Sequence, residues 1–223
     1  MLRQLRRAAG QAAGVLLPVE CAACGAPDAA LCPGCRAQLR RSLRPTVDSL
    51  LVDGLPVASA APYRGVAAAL VRAVKLRGRV DAAAPLGALL RVSLLLALRS
   101  ARWRQAEGAA PLLLAPVPSR AAAERRRGTR HLAELSLRAV PAARLGRPLR
   151  LVRPVEDQHG LSAAERERNL AGAMRASRGA QNRAVVVIDD VVTSGASVRE
   201  AVRALREAGA QPIAVASATR AGG

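Results

Sequence analysis

The feature that most constrains the fold is a stretch near the C-terminus, residues 184–209, which reads AVVVIDDVVTSGASVREAVRALREAG. An apolar run ends there in two acids, Asp189 and Asp190, a loop of hydroxyl residues and glycine follows, and a helical pattern comes next. A strand, a loop and a helix in this order form the repeating unit of parallel sheets with flanking helices. We predict a strand over 184–190 and a helix over 196–208 with Gly209 as its C-cap.

The rest of the chain continues the alternation of strands and helices. The patterns predict, in order, a hairpin over 46–65 with a turn at Asp53–Gly54, a helix over 66–78, a helix over 82–104, a strand over 111–120 buried on both faces, a helix beginning at a Ser162–Glu165 capping box, and a strand over 212–219. This order predicts an α/β domain in which helices flank a parallel sheet.

The composition limits the classes of molecule that the protein is expected to bind. Lysine and arginine number 35 against 16 acidic residues, and the formal charge of +19 predicts attraction to polyanions such as nucleotides, phosphosugars or nucleic acid. A basic surface that is only solvated is an equal alternative. Aromatic residues make up 1% of the chain, which counts against a single-strand binder that stacks bases on aromatic rings.

The apolar segments predict a soluble, cytoplasmic protein. The N-terminal sequence places Leu2, Leu5 and Ala9 near helical spacing, which favours a short amphipathic helix over a signal peptide. The apolar run around residues 92–103 is too short to span a bilayer.

Four cysteines lie within fifteen residues in the sequence CAACGAPDAALCPGC. Their spacing is C-x2-C-x7-C-x2-C, and two C-x-x-C turns supply the four thiolates of a closed tetrahedral zinc site with a structural role. Two disulfides or free thiols are the alternatives, and a cytosolic location argues against disulfides. The predicted ligands are Cys21, Cys24, Cys32 and Cys35.

The acid pair and its loop predict a ligand with both a phosphate and hydroxyl groups. Ligands of open parallel sheets bind beyond the carboxyl ends of the strands, where Asp189 and Asp190 are expected. The free amides at the start of the 196–208 helix would hold a phosphate, but the loop has no lysine and is not a nucleoside-triphosphate P-loop. Carboxylates beside a phosphate are suited to ribose hydroxyls, so a ribose 5-phosphate derivative fits both parts.

The string VVVIDDVVTSGAS resembles the motif with which type I phosphoribosyltransferases recognise phosphoribosyl pyrophosphate (PRPP). Further segments make the chain similar to the ComF family of competence-associated phosphoribosyltransferase-like proteins. These are the cysteine clip, YRGVAAALVRAVKLRG, APVPSRAAAERRRG, and the Gln158–Asn169 segment with its Q-x-x-L-x-x-x-x-R-x-x-N pattern. The likeness covers about residues 15–220. It implies a type I phosphoribosyltransferase fold with a small N-terminal zinc module.

The resemblance also implies roles for the acid pair and its loop. Asp189 and Asp190 would accept hydrogen bonds from the ribose 2- and 3-hydroxyls and serve the catalytic centre. The loop would bind the 5-phosphate through Thr193, Ser194, Gly195, Ala196 and Ser197.

Two further segments receive roles in the same way. Ser119 and Arg120 would line the pyrophosphate loop, with Mg²⁺ bridging pyrophosphate and ribose oxygens. A flexible lid would close over the ligand through Gln158, Arg166 and Asn169, although a surface ion pair is an equal alternative for Arg166. The basic turn at Lys75, Arg77 and Arg79 would either touch phosphate or DNA or be solvated.

Two main functions remain open from the sequence, beside a weaker third one as a PRPP-sensing regulator. One is Mg-dependent transfer of phosphoribosyl from PRPP to an unknown acceptor. The other is a non-catalytic protein of DNA uptake or natural transformation that binds single-stranded DNA through its basic surface. The expected division places an N-terminal helix and the cysteine module in residues 1–45 and the phosphoribosyltransferase-like domain in residues 46–223.

Overall fold

The computed structural model of the protein describes residues 19–103, 111–118, 140, 143–155 and 162–222. The predicted N-terminal helix, the pyrophosphate-loop residues Ser119 and Arg120, and the lid residue Gln158 lie outside these ranges.

Five helices and eight strands make up the described part of the chain. In order they are α1 (Pro33–Arg41), β1 (Thr46–Asp48), β2 (Val57–Pro62), α2 (Gly65–Lys75), α3 (Ala83–Ser100), β3 (Leu112–Pro116), β4 (Ala143–Leu145), β5 (Leu149–Leu151), α4 (Ala163–Leu170), β6 (Met174–Ala176), β7 (Ala184–Val192), α5 (Ala196–Glu207) and β8 (Gln211–Arg220). Short 3-10 turns at Val80–Ala82 and Arg178–Ala180 lead into α3 and β7.

The main sheet confirms the predicted α/β architecture. Its six strands run in the order β1-β2-β8-β7-β3-β4, and every neighbouring pair is parallel except β1 with β2. The predicted hairpin is this antiparallel pair, and Asp53 and Gly54 in its turn both have positive φ angles. Strands β5 and β6 form a separate antiparallel pair.

Strand β7 divides the hydrophobic core between the two faces of the sheet. Val186 and Ile188 pack on the face that α2, α3 and the cysteine module cover, whereas Val185 and Val187 pack on the face that α5 and the β5–β6 pair cover. This alternation follows from the two-residue repeat of a strand, and it explains why the run VVVI is apolar throughout. The sheet is covered on both faces, so its carboxyl edge is the part left open for a ligand.

Helix α3 is a core element, although its length and composition also suit a membrane span. One helical stretch among the described residues, Val80–Ser100, has 21 residues and a mean hydropathy of 1.6, and half of its most apolar window is buried. Its side chains Leu86, Leu90 and Leu94 lie in the core with α2 and strands β2 and β8.

The C-terminal elements differ from prediction at their ends. Strand β7 continues to Val192 rather than ending at the acid pair, because Val191 and Val192 pair with Thr219 and Arg220 of β8. Helix α5 ends at Glu207 with Ala208 as its C-cap, so the prediction of Gly209 as the cap was one residue too late. Gly209 follows the cap with φ +75°, a left-handed conformation that favours glycine after a helix.

An ion pair with a buried carboxylate attaches the β5–β6 pair to α5. Glu200 is 5% exposed, and its carboxylate accepts hydrogen bonds from the Met174 amide at 2.8 Å and from Arg203 Nε at 2.7 Å. Burial alone would raise the pKa of Glu200, but the hydrogen bonds from Arg203 and Met174 hold it below its usual range. Arg203 also donates to the Met174 carbonyl, so both Glu200 and Arg203 of α5 bond to the backbone of β6.

Replacing Glu200 tests this connection. We expect Glu200→Ala to lower the free energy of unfolding by about 3 kcal/mol, because the buried Met174 amide and the Arg203 guanidinium lose their acceptor. Urea unfolding measures the change. Glu207→Ala is the matched control: Glu207 pairs with the same arginine, but its side chain is 65% exposed, so a loss below about 1 kcal/mol is expected. Equal losses of unfolding free energy in the two variants would contradict this role of Glu200.

Candidate ligand site and metal centre

The acid pair lies near the carboxyl end of β7, between strands β3 and β8. Both acids are partly buried. The Asp190 backbone amide donates to Asp189 Oδ1 at 2.8 Å, and the Thr219 hydroxyl of β8 donates to the Asp190 carbonyl at 3.0 Å. The backbone around the acids is therefore fixed by its neighbours.

The two acids differ in their electrostatic surroundings. Asp189 keeps some accessible surface, yet protein atoms surround its carboxyl group, and desolvation together with the nearby Asp190 carboxylate raises the pKa of Asp189 to about 8. The Lys75 ammonium opposes this rise. At neutral pH Asp189 therefore keeps a proton that it can donate.

The raised pKa of Asp189 makes stability depend on pH in a defined direction. Between 3.8, the ordinary pKa, and about 8 the folded protein holds a proton that the unfolded chain has lost, so stability falls as pH rises through this window. Asp189→Asn lacks this loss. We expect the melting temperature of this variant, measured without ligand, to rise relative to that of wild type as pH increases from about 5 to about 9. A difference that stays constant with pH would contradict the shift.

Lys75 is a member of the site that sequence reasoning left undecided between ligand contact and solvation. It is the last residue of α2, and its Nζ lies 2.7 Å from Asp190 Oδ1. The Lys75 side chain is 36% exposed and that of Asp190 is 17% exposed, so the ion pair lies at the border of the cleft. A positive charge directly beside the acid pair is what an anionic ligand would meet there.

The loop after β7 has the geometry of an anion cradle. Gly195 is the N-cap of α5 with φ +84°, and a Cβ atom there would lie 2.8 Å from both Arg199 Nη1 and Leu51 Cγ, so glycine is required. The first amides of α5 have no partner within the helix and point toward the loop. Within the described part of the chain, the buried Ser194 hydroxyl has no hydrogen-bond partner.

Arg199 ties the cradle to two neighbouring segments. Its Nη1 donates to the Ser194 and Leu51 carbonyls at 3.0 Å each, and its Nε donates to Glu167 Oε1 of α4 at 2.9 Å. The β1–β2 connection and helix α4 are therefore both attached to the loop that follows β7. Sequence reasoning missed Arg199, because α5 presents it as one of several arginines at helical spacing.

The remaining predicted site residues are placed only in part. Thr193 is exposed and Ser197 is partly buried, both at the cradle. Strand β3 runs beside β7, and the Val117 amide donates to the Ile188 carbonyl, so the chain leaves β3 next to the acid pair toward the predicted pyrophosphate loop.

The predicted start of helix α4 is confirmed. Ser162 and Glu165 form the predicted capping box of α4. Arg166 and Asn169 on this helix are partly buried, and the Asn169 carbonyl accepts a hydrogen bond from Arg153.

The four cysteines come together as a candidate metal centre. Their sulfur atoms all lie within 4.8 Å of one another, and the Cys24 and Cys32 sulfurs are 3.7 Å apart. Four thiolates at the zinc–sulfur bond length on the corners of a tetrahedron would be about 3.8 Å apart. The four cysteines are free of disulfides.

Backbone amides already support thiolates at this centre. The Cys32 amide points to Cys21 Sγ and the Cys35 amide to Cys32 Sγ, each at 3.4 Å. Burial disfavours ionisation of Cys21, but amides led by that of Cys32 outweigh it and lower the pKa of Cys21 to about 6. Burial and the neighbouring thiols raise the pKa of Cys35, so a bound cation is needed to hold all four as thiolates.

Comparison with known proteins identifies the family. The family model of the phosphoribosyl transferase domain matches residues 132–222, which contain the acid pair and the cradle. The DNA utilization protein YhgH of Salmonella typhi is 32% identical over 167 residues, 70% of this chain and 68% of that protein. The chain belongs to the ComF family. Its fold is accordingly that of a phosphoribosyltransferase-like α/β domain preceded by a four-cysteine module.

Other relatives of this ComF-family protein match over shorter stretches. The YhgH protein of Escherichia coli (strain K12) is 43% identical over 63 residues, so the match spans 28% of that relative's length. An orotate phosphoribosyltransferase of Bordetella avium (strain 197N) is 56% identical over 46 residues, 21% of this chain and 18% of that enzyme. A solved structure of the allosteric regulatory enzyme of purine biosynthesis is similar with a TM-score of 0.39 and a sequence identity of 22%. The similarity covers 63% of this chain and 26% of the chain of that enzyme.

Proposed function

We propose that this ComF-family protein binds PRPP together with Mg²⁺ at the carboxyl end of β7. The observation that carries the proposal is the juxtaposition of Asp189 and Asp190 with a glycine-capped helix start, next to the buried Ser194 hydroxyl that has no partner among the described residues. A phosphate on the cradle would place a ribose against the two acids.

Each half of the ligand has its own set of contacts in this proposal. Asp190 accepts from the ribose diol, and protonated Asp189 completes the hydrogen bonding to the same hydroxyls. The amides and hydroxyls of residues 193–197 hold the 5-phosphate. The pyrophosphate extends toward Ser119 and Arg120 beyond β3. Gln158, Arg166 and Asn169 belong to the lid that covers the bound ligand.

The chemistry that this arrangement supports is transfer at the anomeric carbon. Pyrophosphate leaves as positive charge develops on the ribose ring, and an unidentified acceptor takes its place. Such a reaction needs position and electrostatic stabilisation more than a general base. Mg²⁺ would be held by phosphate oxygens of the ligand and by the Asp190 carboxylate, and it would stabilise the charge that develops on the leaving pyrophosphate.

We propose zinc as the ion of the four-cysteine centre. Tetrahedral thiolate sites without an open position are typical of structural zinc, and the 3.7 Å sulfur separation fits its bond length. Four reduced thiols as metal ligands require a reducing compartment, which supports a cytoplasmic location. We also propose that the chain divides into an N-terminal helix and cysteine module, residues 1–45, and a phosphoribosyltransferase-like domain, residues 46–223.

Calorimetry tests the proposed ligand. We expect PRPP to bind wild type in the presence of Mg²⁺, ribose 5-phosphate to bind more weakly, and pyrophosphate to bind most weakly, because only PRPP reaches all parts of the site. Removal of Mg²⁺ should weaken PRPP binding at least about tenfold. If PRPP does not bind, or if pyrophosphate binds as tightly as PRPP, the proposal is wrong.

A second candidate function is the handling of single-stranded DNA without catalysis. The charge of +19 favours it, as do the names of the DNA utilization relatives. Anisotropy of a labelled oligonucleotide should then show an affinity that falls steeply between about 50 and about 200 mM salt and that Asp190→Asn leaves unchanged. An absence of binding at physiological salt would remove this candidate. Detectable product from PRPP and an acceptor would separate enzyme from binding protein.

A further inference from the structure

One lysine stands out among the basic residues of the chain. Lysine and arginine number 35 together, and Lys75 is the single lysine. All the other residues of this group are arginines, and the single lysine lies beside the acid pair. The two side chains differ physically: an ammonium is a compact point charge with three donors, whereas a guanidinium is a broad planar fork. The 2.7 Å contact of Lys75 Nζ with Asp190 Oδ1 uses one donor and occupies one carboxylate oxygen.

The turn after Lys75 connects this contact to the four-cysteine module. Arg77 Nη2 donates to the Ala22 carbonyl at 3.2 Å, and Arg79 Nη2 donates to the Glu20 carbonyl at 2.6 Å. The Arg79 amide folds back onto the Ala73 carbonyl of α2 at 3.0 Å, which fixes the turn on the helix that carries Lys75. One segment therefore touches Asp190 at its start and the cysteine module a few residues later.

The module and α2 also share a core. Cys21, Ala22 and Cys35 are buried in the same cluster as Val71 and Val74 of α2. Two of the metal ligands are therefore packing partners of the helix whose last residue is Lys75. A module that loses its metal would release both the core contacts and the carbonyls that accept from Arg77 and Arg79.

We propose that Lys75 is a positioning residue that orients Asp190 for the ligand, and that the four-cysteine module holds Lys75 in place, so that metal loading and ligand binding are linked. This inference rests on the proposed function, because the linked ligand is the PRPP-type molecule of the acid pair. The Lys75 contact fixes one carboxylate oxygen of Asp190, and the second oxygen would accept from the diol. By linkage, a bound ligand should in turn retain the metal.

The single lysine provides a direct probe. Reductive methylation with ¹³C-formaldehyde labels only Lys75 and the terminal amine of the chain, and NMR separates the two signals. In ligand-free protein we expect the Lys75 signal to shift in Asp190→Asn and again when a chelator removes the metal. A Lys75 signal that is unaffected by chelation would overturn the link to the module, whatever the ligand proves to be.

Binding measurements complete the test. We expect Lys75→Met to weaken PRPP·Mg²⁺ binding about tenfold or more, as loss of a charge-assisted contact does. Arg72→Ala, which removes an exposed charge from the same helix, should change it less than about twofold. The double variant Arg77→Ala/Arg79→Ala keeps all four cysteines and should weaken binding at least about threefold.

The outcomes separate the two proposals. Wild-type affinity in Lys75→Met would overturn the positioning role, and wild-type affinity in the double variant would overturn the support by the module. Failure of wild type to bind PRPP would instead overturn the proposed function, while the ligand-free NMR shifts would still report on the contact between the module and Lys75.

Discussion

Asp190→Asn is expected to weaken PRPP·Mg²⁺ binding about 100-fold, the largest effect of any single substitution at the ligand site. The substitution removes the carboxylate that pairs with Lys75 and that would accept from the ribose diol. Charge-assisted hydrogen bonds to hydroxyls contribute more than neutral ones, so an asparagine amide replaces the lost carboxylate only in part. Calorimetry against wild type gives the change.

The neighbouring acid should behave differently. Because the pKa of Asp189 is raised to about 8, Asp189 is protonated at neutral pH, and Asp189→Asn should weaken binding by no more than about tenfold. Glu207→Gln at the far end of α5 is the control and should bind as wild type does. Equal effects of the two aspartate substitutions would contradict the division of roles within the pair.

Removal of the metal is expected to have the largest effect on stability. Metal binding to a site of this kind contributes directly to folding, since four thiols without a cation cannot all ionise in a partly buried cluster. We expect a chelator to lower the melting temperature by about 10 °C, because the module packs in the same core as α2 and α3. Differential scanning calorimetry of the loaded and depleted protein measures the change.

Variants distinguish loss of metal from a general effect of the chelator. Cys24→Ser alters an exposed ligand with little change in packing, and it should reproduce the loss of stability and of bound zinc. Asp28 lies between the two cysteine pairs and has a φ of +68°, which asparagine also tolerates. Asp28→Asn should therefore keep both the stability and the bound zinc of wild type. Less than one zinc per chain in freshly purified wild type, with all four thiols reactive, would contradict the assignment.

Much of the architecture could be predicted from local patterns. The run that contains β3 is apolar without alternation because β3 is covered on both faces of the sheet, and this continuous pattern correctly indicated a buried strand of a parallel sheet. The capping box at Ser162 and the turn at Asp53 each depend on residues that lie within a few positions of one another. The local sequence is therefore sufficient to predict both.

The parts that could not be predicted depend on contacts between distant elements. Strand β7 extends past the acids because β8 provides partners for Val191 and Val192, and no local signal encodes that pairing. Lys75 meets Asp190 across 115 positions of sequence, and periodicity alone does not tell where the end of α2 lies relative to the sheet. The available signal was compositional: it is the single lysine in an arginine-rich chain.

A crystal structure of the protein with PRPP and Mg²⁺ would show whether the acid pair and the cradle hold the ligand. We expect the 5-phosphate on the amides of residues 194–197, with the Ser194 hydroxyl as one of its donors. We also expect the ribose 2- and 3-hydroxyls within hydrogen-bond distance of Asp189 and Asp190, and Lys75 still in contact with Asp190. Electron density for PRPP elsewhere on the basic surface, with the acid pair and the cradle unoccupied, would contradict the proposed site.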